Sequence, residues 1–388
     1  MNAILMRTGL ALCLVPGVLF GLSLLLEHHA WLWDATVYRC AIDATLAHDD
    51  PYRFVGDCAG YFLPHTYPYA GTRLLAGLAT MTGTPLLGYA YVLAYAAGSA
   101  LFLYAAGRIG GSTRAVALLV LAPAAGVFVS ELVSGNMGVP FYGALLWLIW
   151  RGAGGRPVTA LGVAMAPFKP LYAAYLLLPF FQRREILLPF AGALAVAAWY
   201  GGDALLFPVH FADWLRAATG HANEVPGFGF SMLVRKSGME LQGGTAIVAA
   251  YALWAAFAVV LTLRAVARAP TPLLRALVAV AGTALLLPRL KEYDCLMLIP
   301  LALALWPTLD ARERREWLAL VGGFGIALPA TIWWLRKLAL VWGTAPATWR
   351  SLVDMRWLVQ NQGAFLFAAL LAALVWLAFR SRDAAQPA

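Results

Sequence analysis

One carboxylate flanked by tryptophans is the strongest candidate for acid–base chemistry in this sequence. Asp34 follows Trp31 and Trp33, and Tyr38 lies four residues further on, on the same face of a helix as the carboxylate. Tryptophan concentrates at the headgroup level of a membrane, so Asp34 is expected at that surface. A carboxylate there suits a general base that takes a proton from a hydroxyl group. The competing interpretation is an acidic residue that stabilises the first turn of a short interfacial helix.

Three cations stand where apolar sequence is interrupted. Lys169 lies at a Pro-Phe-Lys-Pro break in the apolar run 158–181, and a charge at bilayer depth costs roughly 3 kcal/mol, which makes it a functional candidate. Arg289 and Lys291 lie beside Tyr293 in a short turn between two further apolar runs. Either of these two could instead extend to the lipid headgroups. Together the three cations predict a site for an anion at the membrane surface, and a lipid phosphate is the obvious ligand.

The sequence offers no recognisable metal or cofactor site. No Asp-x-Asp pair occurs, and His28 and His29 are adjacent, so their side chains cannot share one helical face. We therefore expect neither a metal ion nor a cofactor.

The composition places these residues in an all-α, polytopic membrane protein. Of the 388 residues, 62% are hydrophobic and 12% are charged, with a mean hydropathy of +0.74; so few charges cannot cover a soluble surface. A helix needs about 20 apolar residues to cross a bilayer core of roughly 30 Å, and continuous rather than alternating runs favour helices over a barrel. Such runs cover residues 8–26, 85–109, 113–132, 186–207, 245–263, 272–288, 317–335 and 364–379, with shorter ones at 138–150 and 294–306.

The net charge of +9 indicates topology rather than a nucleic-acid partner. Arginines recur in the short connections between apolar runs, for example Arg108, Arg114, Arg156 and Arg183, a bias that marks cytoplasmic loops. Since Arg156 and Arg183 both favour the cytoplasmic side, the run between them cannot cross the membrane once. We expect two half-length helices with Lys169 at the outer tip, because irregular backbone at membrane depth must line a cavity or be buried in protein.

The predicted topology is a single transmembrane domain over residues 1–388, with about ten full transmembrane helices plus the half-helix pair and both termini in the cytoplasm. Three outer loops, 27–84, 207–243 and 336–360, carry the polar and aromatic residues. Function concentrates in loops held by a rigid scaffold, so these loops are expected to form the site.

Two cysteines lie in the first outer loop. Cys40 and Cys58 enclose 17 intervening residues, and the oxidising environment outside the inner membrane would allow them to form a disulfide. The competing interpretation is two unpaired, buried residues. Bridging requires Cα atoms about 4.4–6.8 Å apart.

A series of short motifs extends over about two thirds of the chain. They are Asp34-x-x-x-Tyr38-x-x-Ala41 with Asp50-Pro51-Tyr52, Tyr67-Pro68-Tyr69 with Leu74-Leu75, Gly135-Asn136-Met137, Phe168-Lys169-Pro170 and Lys291-Glu-Tyr293. In order, spacing and predicted side of the membrane they resemble the integral-membrane, C-fold glycosyltransferases, and most closely glycosyltransferase family 87, the polyprenol-phosphate-mannose-dependent mannosyltransferases. The sequence departs from the family pattern where Tyr69 replaces a proline, Gly138 an asparagine and Lys291 a histidine.

The resemblance implies a role for each candidate residue. Asp34 would be the general base. The donor phosphate would be bound by the three cations, Lys169, Arg289 and Lys291, and the remaining substrate-binding residues would be Tyr38, Asn136 and Tyr293. The expected reaction moves a hexose, mannose in the family, from a polyprenyl-phosphate sugar donor to a lipid or glycan acceptor, with inversion and without a metal ion.

This reaction would take place at the outer face of a bacterial inner membrane. Its partners would be the donor, the acceptor and membrane lipids, with no nucleic acid. Two other functions stay open. One is a transporter or flippase for a lipid-linked or anionic substrate, in which broken helices and intramembrane charges are also expected. The other is a polymerase or ligase of surface polysaccharide.

Overall fold

The computed structural model describes residues 32–52, 65–110, 134–224, 227–239, 244–320, 323 and 362–380. Over these residues the chain is helical, and its one β-type pairing is an isolated antiparallel bridge between Phe228 and Leu290. The α-helices are α1 Trp33–Leu46, α2 Tyr69–Thr82, α3 Thr84–Gly110, α4 Gly138–Trp150, α5 Arg156–Met165, α6 Leu178–Arg183, α7 Leu187–Leu206, α8 Pro208–Glu224, α9 Phe230–Ser237, α10 Gly244–Arg268, α11 Pro272–Leu285, α12 Leu298–Leu305, α13 Ala311–Trp317 and α14 Gln362–Phe379. The 3-10 helices are Pro170–Leu177, Glu292–Cys295 and Trp306–Thr308.

Long apolar helices support the predicted all-α membrane fold. Among the described residues, α3 and α10 are each long and apolar enough to cross a membrane, and α7 with α8 is a third such segment if the bent pair is one span. α4, α11 and α14 are apolar but shorter. The predicted runs 8–26 and 113–132, and most of 317–335, lie outside the described residues, so the total of ten spans stays a prediction.

The predicted crossing over 186–207 ends in a sharp bend. α7 turns by 115° into α8, and Phe207 is the one residue between them. Pro208 is the first residue of α8, a position that proline favours because its missing N–H would be unsatisfied there anyway. The region 207–243, predicted as an outer loop, therefore contains the helices α8 and α9.

The predicted break around Lys169 is confirmed. α5 ends at Met165, the chain turns through residues 166–168, and Lys169 itself is extended with φ −142°. The 3-10 helix Pro170–Leu177 and then α6 follow. A proline after Lys169 disfavours the helical region for the lysine, which explains why the helix cannot continue through it.

The two arms of this broken segment lie side by side. A Cβ on Gly162 of α5 would lie 3.0 Å from the side chain of Leu176 in the returning arm. At the other end, a Cβ on Gly154 would lie 3.0 Å from Nη2 of Arg183. The segment therefore enters and leaves at the same end and is a hairpin rather than one crossing helix.

α3 and α4 pack with their backbones in direct contact. A Cβ on Gly98 would lie 2.3 Å from Cα of Pro140, and one on Gly143 would lie 1.9 Å from the carbonyl oxygen of Gly98. Small residues allow membrane helices to approach this closely. The contact fixes the first turns of α4, which begins two residues after Asn136.

Candidate active site

The candidate site lies where the first turn of α1 meets the turn that precedes α4. Leu32, at the start of α1, has a left-handed φ of 58° and packs on Gly135, where a Cβ would lie 2.7 Å from the leucine side chain. Gly135 has φ +73°, a conformation that glycine adopts without steric cost. The hydroxyl of Tyr91 in α3 donates to the carbonyl oxygen of Gly135. These contacts hold Asp34, in the first turn of α1, beside this turn.

Asn136 joins the predicted base to the predicted phosphate-binding lysine. Its Nδ2 donates to Oδ2 of Asp34 at 2.6 Å, and its Oδ1 accepts from Nζ of Lys169 and from the backbone N–H of Gly138 at 2.9 Å. The orientation of the amide follows from its partners, because an ammonium only donates and an ionised carboxylate only accepts. Asn136 is 7% exposed. One buried amide thus holds a carboxylate on one side and an ammonium on the other.

Aromatic rings also surround Lys169. Its Nζ lies 4.0 Å from the ring centroid of Tyr293 and 5.3 Å from that of Tyr172, distances at which a cation is attracted to a ring face. Lys169 and Tyr293, predicted separately from two breaks in apolar sequence, therefore meet in space.

A buried carboxylate fixes the turn that carries Lys291 and Tyr293. Asp294 is 4% exposed; its Oδ2 accepts from the backbone N–H of Lys291 at 2.8 Å, and its Oδ1 accepts from the hydroxyl of Tyr142 at 2.9 Å. That hydroxyl shares a second hydrogen bond of 2.7 Å with the hydroxyl of Tyr175. The position of Lys291 is thereby tied to α4 and to the broken segment.

Burial and two lysines act in opposite directions on Asp34. Burial raises the pKa of this carboxyl above its ordinary value of 3.8, and the charge of Lys169, the hydrogen bonds from Asn136 and Tyr67 and the charge of Lys291 oppose the rise without cancelling it. A raised pKa brings the carboxylate nearer to the range in which a general base is most effective. The structure therefore brings both predicted lysines within electrostatic range of the predicted base.

Arg289 lies beside the segment that joins α8 to α9. Its Cγ is 2.9 Å from the position that a Cβ would take on Gly227. Together with Lys291, it acts electrostatically on His221 of α8. Lys291 is thus within range of both Asp34 and His221, and the three cations border one region instead of converging on one atom.

Tyr38 forms part of the wall behind Asp34. It is 3% exposed, and its ring stacks on Tyr67 with a centroid distance of 4.3 Å. The hydroxyl of Tyr67 donates to Oδ2 of Asp34 at 3.3 Å. His65 packs edge-on against Tyr67, and burial lowers its pKa to about 3, so it is neutral; its Nε2 shares a 2.7 Å hydrogen bond with Thr72. Sequence reasoning missed the contact of Tyr67 with Asp34, because the Tyr-Pro-Tyr motif was only a weak signal for this residue.

Gly138 is enclosed by the side chains around it. A Cβ there would lie 2.5 Å from the hydroxyl oxygen of Tyr172, 2.8 Å from Cδ2 of Tyr293 and 3.2 Å from Oδ1 of Asn136. An asparagine does not fit into this space. The two tyrosines occupy the volume that a larger side chain would need.

The cysteine prediction is only partly covered by the described residues. Cys40, in α1, is disulfide-bonded. Its predicted partner Cys58 lies outside the described residues, so the pairing stays a prediction.

The structure brings together three potential metal ligands that the sequence did not indicate. Asp50, His210 and Asp213 offer three ligand atoms that all lie within 4.8 Å of one another. The missing Asp-x-Asp pair could not reveal such a group, because Asp50 comes from the segment after α1 and the other two residues from α8.

No protein-family model matches the chain, and comparisons with curated proteins and with solved structures likewise find no match. The proposed function therefore rests on the geometry of the site and on the motif resemblance.

Proposed function

We propose that this protein is a glycosyltransferase that moves a hexose, mannose by the family resemblance, from a polyprenyl-phosphate sugar to a lipid or glycan acceptor. The observation that carries the proposal is the bridge through Asn136, which holds the carboxylate of Asp34 and the ammonium of Lys169 on either side of one amide. A transfer from a phosphate-linked sugar needs both groups: a base for the acceptor and a cation for the departing phosphate.

In the proposed reaction the acceptor hydroxyl gives its proton to Asp34 as its oxygen attacks the anomeric carbon. The bond between that carbon and the phosphate oxygen breaks, and the phosphate leaves with the electron pair. Lys169 and Lys291, with Arg289 on the far side, stabilise the charge that develops on this leaving group. Attack from the face opposite the phosphate inverts the anomeric centre.

The raised pKa of Asp34 is consistent with this role. The burial that raises it makes the carboxylate a stronger base than a solvated aspartate. The charges of the two lysines oppose this rise and favour the ionised form, which is the form that accepts a proton. Tyr67 and Asn136, which both donate to Oδ2, orient the group so that Oδ1 remains the atom for the acceptor proton.

We also propose the full topology: about ten transmembrane helices plus the hairpin at Lys169, with both termini in the cytoplasm. The site would face the periplasm of a bacterial inner membrane. The hairpin supports this orientation, because its two ends carry Arg156 and Arg183, residues that favour the cytoplasmic side. The Lys169 tip then points outward.

The hairpin also favours a second candidate function, a transporter or flippase for a lipid-linked or anionic substrate. Broken helices that carry a charge are common in transporters. A transporter does not require a base, however, and the hydrogen-bonded carboxylate beside the cation favours the enzyme.

The full-length protein in lipid nanodiscs, incubated with radiolabelled polyprenyl-phosphate mannose and a membrane lipid extract, tests the proposal. We expect label to appear in a new lipid or glycan product with the wild type and not with Asp34→Asn. If neither forms product across several polyprenyl-phosphate hexoses, while proteoliposomes move the labelled donor between leaflets, the transporter is correct and the enzyme is not.

A further inference from the structure

A group of potential metal ligands lies beside the candidate active site. Asp50 follows α1, and His210 and Asp213 are three residues apart on α8, which places them on one face of that helix. Their ligand atoms lie within 4.8 Å of one another, and all three residues are half-buried. One imidazole and two carboxylates form a ligand set that can bind a divalent transition metal such as zinc.

Hydrogen bonds leave coordinating atoms in this group. Asp50 uses Oδ1 to accept the backbone N–H of Tyr52 at 2.9 Å. Asp213 uses Oδ1 for an ion pair with Arg216 at 2.6 Å. The Arg216 side chain is 78% exposed, and such surface pairs contribute little free energy, so a metal ion can compete with it. Each carboxylate has a second oxygen to offer.

Further evidence for a ligand comes from two buried polar atoms, one in the group and one outside it. Nδ1 of His210 and Oδ1 of Asp203 are both buried and have no hydrogen-bond partner among the described residues. Asp203 is 2% exposed, and its carboxyl interacts electrostatically with His210. A buried unpartnered carboxylate oxygen is costly. Oδ2 of Asp203 accepts from the backbone N–H of Ala70 at 3.0 Å, which leaves Oδ1 for an imidazole N–H. A carboxylate that accepts from a metal-bound histidine fixes the ring and raises its basicity.

The surroundings also suit a cation. Tyr52 lies within electrostatic range of Asp203, Asp50 and Asp213, so three carboxylates converge on one small region. The His210 ring is held in place by stacking on Tyr69 with a centroid distance of 4.3 Å.

We propose that Asp50, His210 and Asp213 bind a divalent transition-metal ion, with zinc as the expected occupant. Solvent would complete the coordination, and Asp203 would support His210. Because Asp50 and α8 are far apart in sequence, the ion would fasten the segment after α1 to α8.

This ion would influence the candidate active site by position alone. Tyr52, two residues after Asp50, donates from its hydroxyl to the carbonyl oxygen of Tyr67 at 2.9 Å. Tyr67 in turn donates to Asp34. The metal site does not depend on the proposed glycosyl transfer, and its test needs no substrate.

Zinc binding to the full-length protein tests the proposal. The protein carries a histidine-free affinity tag, is stripped of metal with a chelator in detergent, and is dialysed against buffered Zn²⁺ before its metal content is measured. We expect one tightly bound zinc per chain in the wild type and a rise in Tm on adding zinc. His210→Ala should weaken binding by on the order of 100-fold, and Asp203→Asn by about 10- to 100-fold, as for other residues that support a ligand.

The neighbouring exposed residues His48 and Asp49 provide matched controls. His48→Ala and Asp49→Asn should bind zinc like the wild type. A wild type that retains no stoichiometric zinc, or a His210→Ala variant that binds zinc with unchanged affinity, overturns the proposal.

Cobalt spectra distinguish a variant that has lost a metal ligand from one that has lost its fold. Co²⁺ in a site of nitrogen and oxygen ligands gives visible absorption without the intense charge-transfer band of thiolate ligands. We expect this spectrum in the folded wild type and in Asp49→Asn, and its loss in Asp213→Asn that elutes as a monodisperse species. The same spectrum in Asp213→Asn would count against the assignment.

Discussion

Asp34 and Asn136 lie 102 positions apart in sequence and are joined by a hydrogen bond of 2.6 Å from Nδ2 to Oδ2. Oδ1 of the same amide accepts a hydrogen bond from the ammonium of Lys169. A carboxylate and an ammonium are thereby held on the two sides of one amide. In the proposed reaction each group has its own role, Asp34 toward the acceptor and Lys169 toward the phosphate.

Asp34→Asn is expected to abolish transfer while the protein stays folded. A general base contributes about 10²–10⁴-fold to the rate, so kcat should fall by that factor with little change in donor binding. The measurement is radiolabelled transfer in nanodiscs, with donor affinity determined separately. Activity within about tenfold of the wild type would exclude Asp34 as the base. Asp49→Asn, at an exposed acid, is the control.

Asp34→Asn should not lower the stability of the fold at neutral pH. Because the folded-state pKa of Asp34 is raised above 3.8, the folded chain holds this proton more tightly than the unfolded chain. The free energy of unfolding therefore falls as pH rises from 3.8 through the raised pKa. Above the raised pKa, the cost of burying the ionised carboxylate is fully present. Asparagine has no charge to bury, so we expect a Tm at pH 7 equal to or above that of the wild type. A clearly lower Tm would show that the ionised carboxylate stabilises the fold.

The acid limb of the pH–rate profile should report Asp34. Since only the ionised form accepts a proton, kcat/KM should fall with decreasing pH at an apparent pKa above 3.8. Lys169→Met removes the larger of the two lysine charges that oppose the rise in the pKa of Asp34, and Lys291→Met removes the smaller. Both variants should therefore move the acid limb to higher pH, Lys169→Met further than Lys291→Met. Lys236→Met, at an exposed lysine, should leave it in place. An unchanged limb in both site variants would contradict the electrostatic assignment.

Gly138→Ala is expected to damage the site through a single methyl group. The new Cβ would lie 2.5 Å from the hydroxyl of Tyr172 and 2.8 Å from the ring of Tyr293, so the ring beside Lys169 must shift. We expect kcat to fall at least about tenfold, since small misplacements in a site are costly. Gly77→Ala and Gly201→Ala, at helical positions with open space, should be neutral.

A double variant separates this steric effect from general instability. Tyr172→Phe removes the oxygen that the Cβ of Gly138→Ala would meet first. The combined variant should recover part of the lost activity, giving a favourable interaction between the two changes. Additive losses would mean that the clash with Tyr172 is not the cause.

Asp294→Asn should weaken the turn that carries Lys291. The carboxylate accepts from the backbone N–H of Lys291 and from the hydroxyl of Tyr142. In asparagine one of the two oxygens is replaced by an NH₂ group, which faces a donor and cannot accept from it. The buried donor that loses its acceptor costs about 1–3 kcal/mol. We expect a lower Tm and a raised KM for the donor, with kcat less affected. Tyr175→Phe removes only the hydrogen bond between the hydroxyls of Tyr142 and Tyr175, so it should have a smaller effect on Tm and on KM. Equal changes in Tm and KM for Asp294→Asn and Tyr175→Phe would argue that Asp294 contributes packing alone.

The break at Lys169 and the chemical type of the site residues were predictable because their signals are local. A proline on each side of a lysine within apolar sequence indicates both a helix interruption and a costly charge. Asp34 was similarly marked by its tryptophans. Each of these features can be recognised without knowledge of the fold.

The partners of these residues were not predictable, because they depend on how helices pack. Tyr67 reaches Asp34 across 33 positions, and nothing in a Tyr-Pro-Tyr motif specifies that contact. The 115° bend after α7 turns α8 so that His210 faces Asp50. A hydropathy pattern shows the apolar run but not the direction the chain takes when it ends.

The final prediction concerns the disulfide at Cys40. This residue is disulfide-bonded and lies on α1, six residues after Asp34. We predict Cys58 as its partner. Closing the intervening loop is worth on the order of 3 kcal/mol in the chain-entropy account, and the bond would hold the first outer loop against the helix that carries the base.

Mass spectrometry of peptides from the unreduced protein should show Cys40 linked to Cys58. Cys40→Ser and Cys58→Ser should each lower Tm by the same amount, and the double variant no further, because each change breaks the same bond. Cys13→Ser should leave the linked peptide intact. Since the bond positions α1 without touching substrate, kcat should fall less than in Asp34→Asn. A peptide linking Cys40 to Cys13, or a Cys58 thiol that reacts with maleimide in the folded protein, would show that the predicted pairing is wrong.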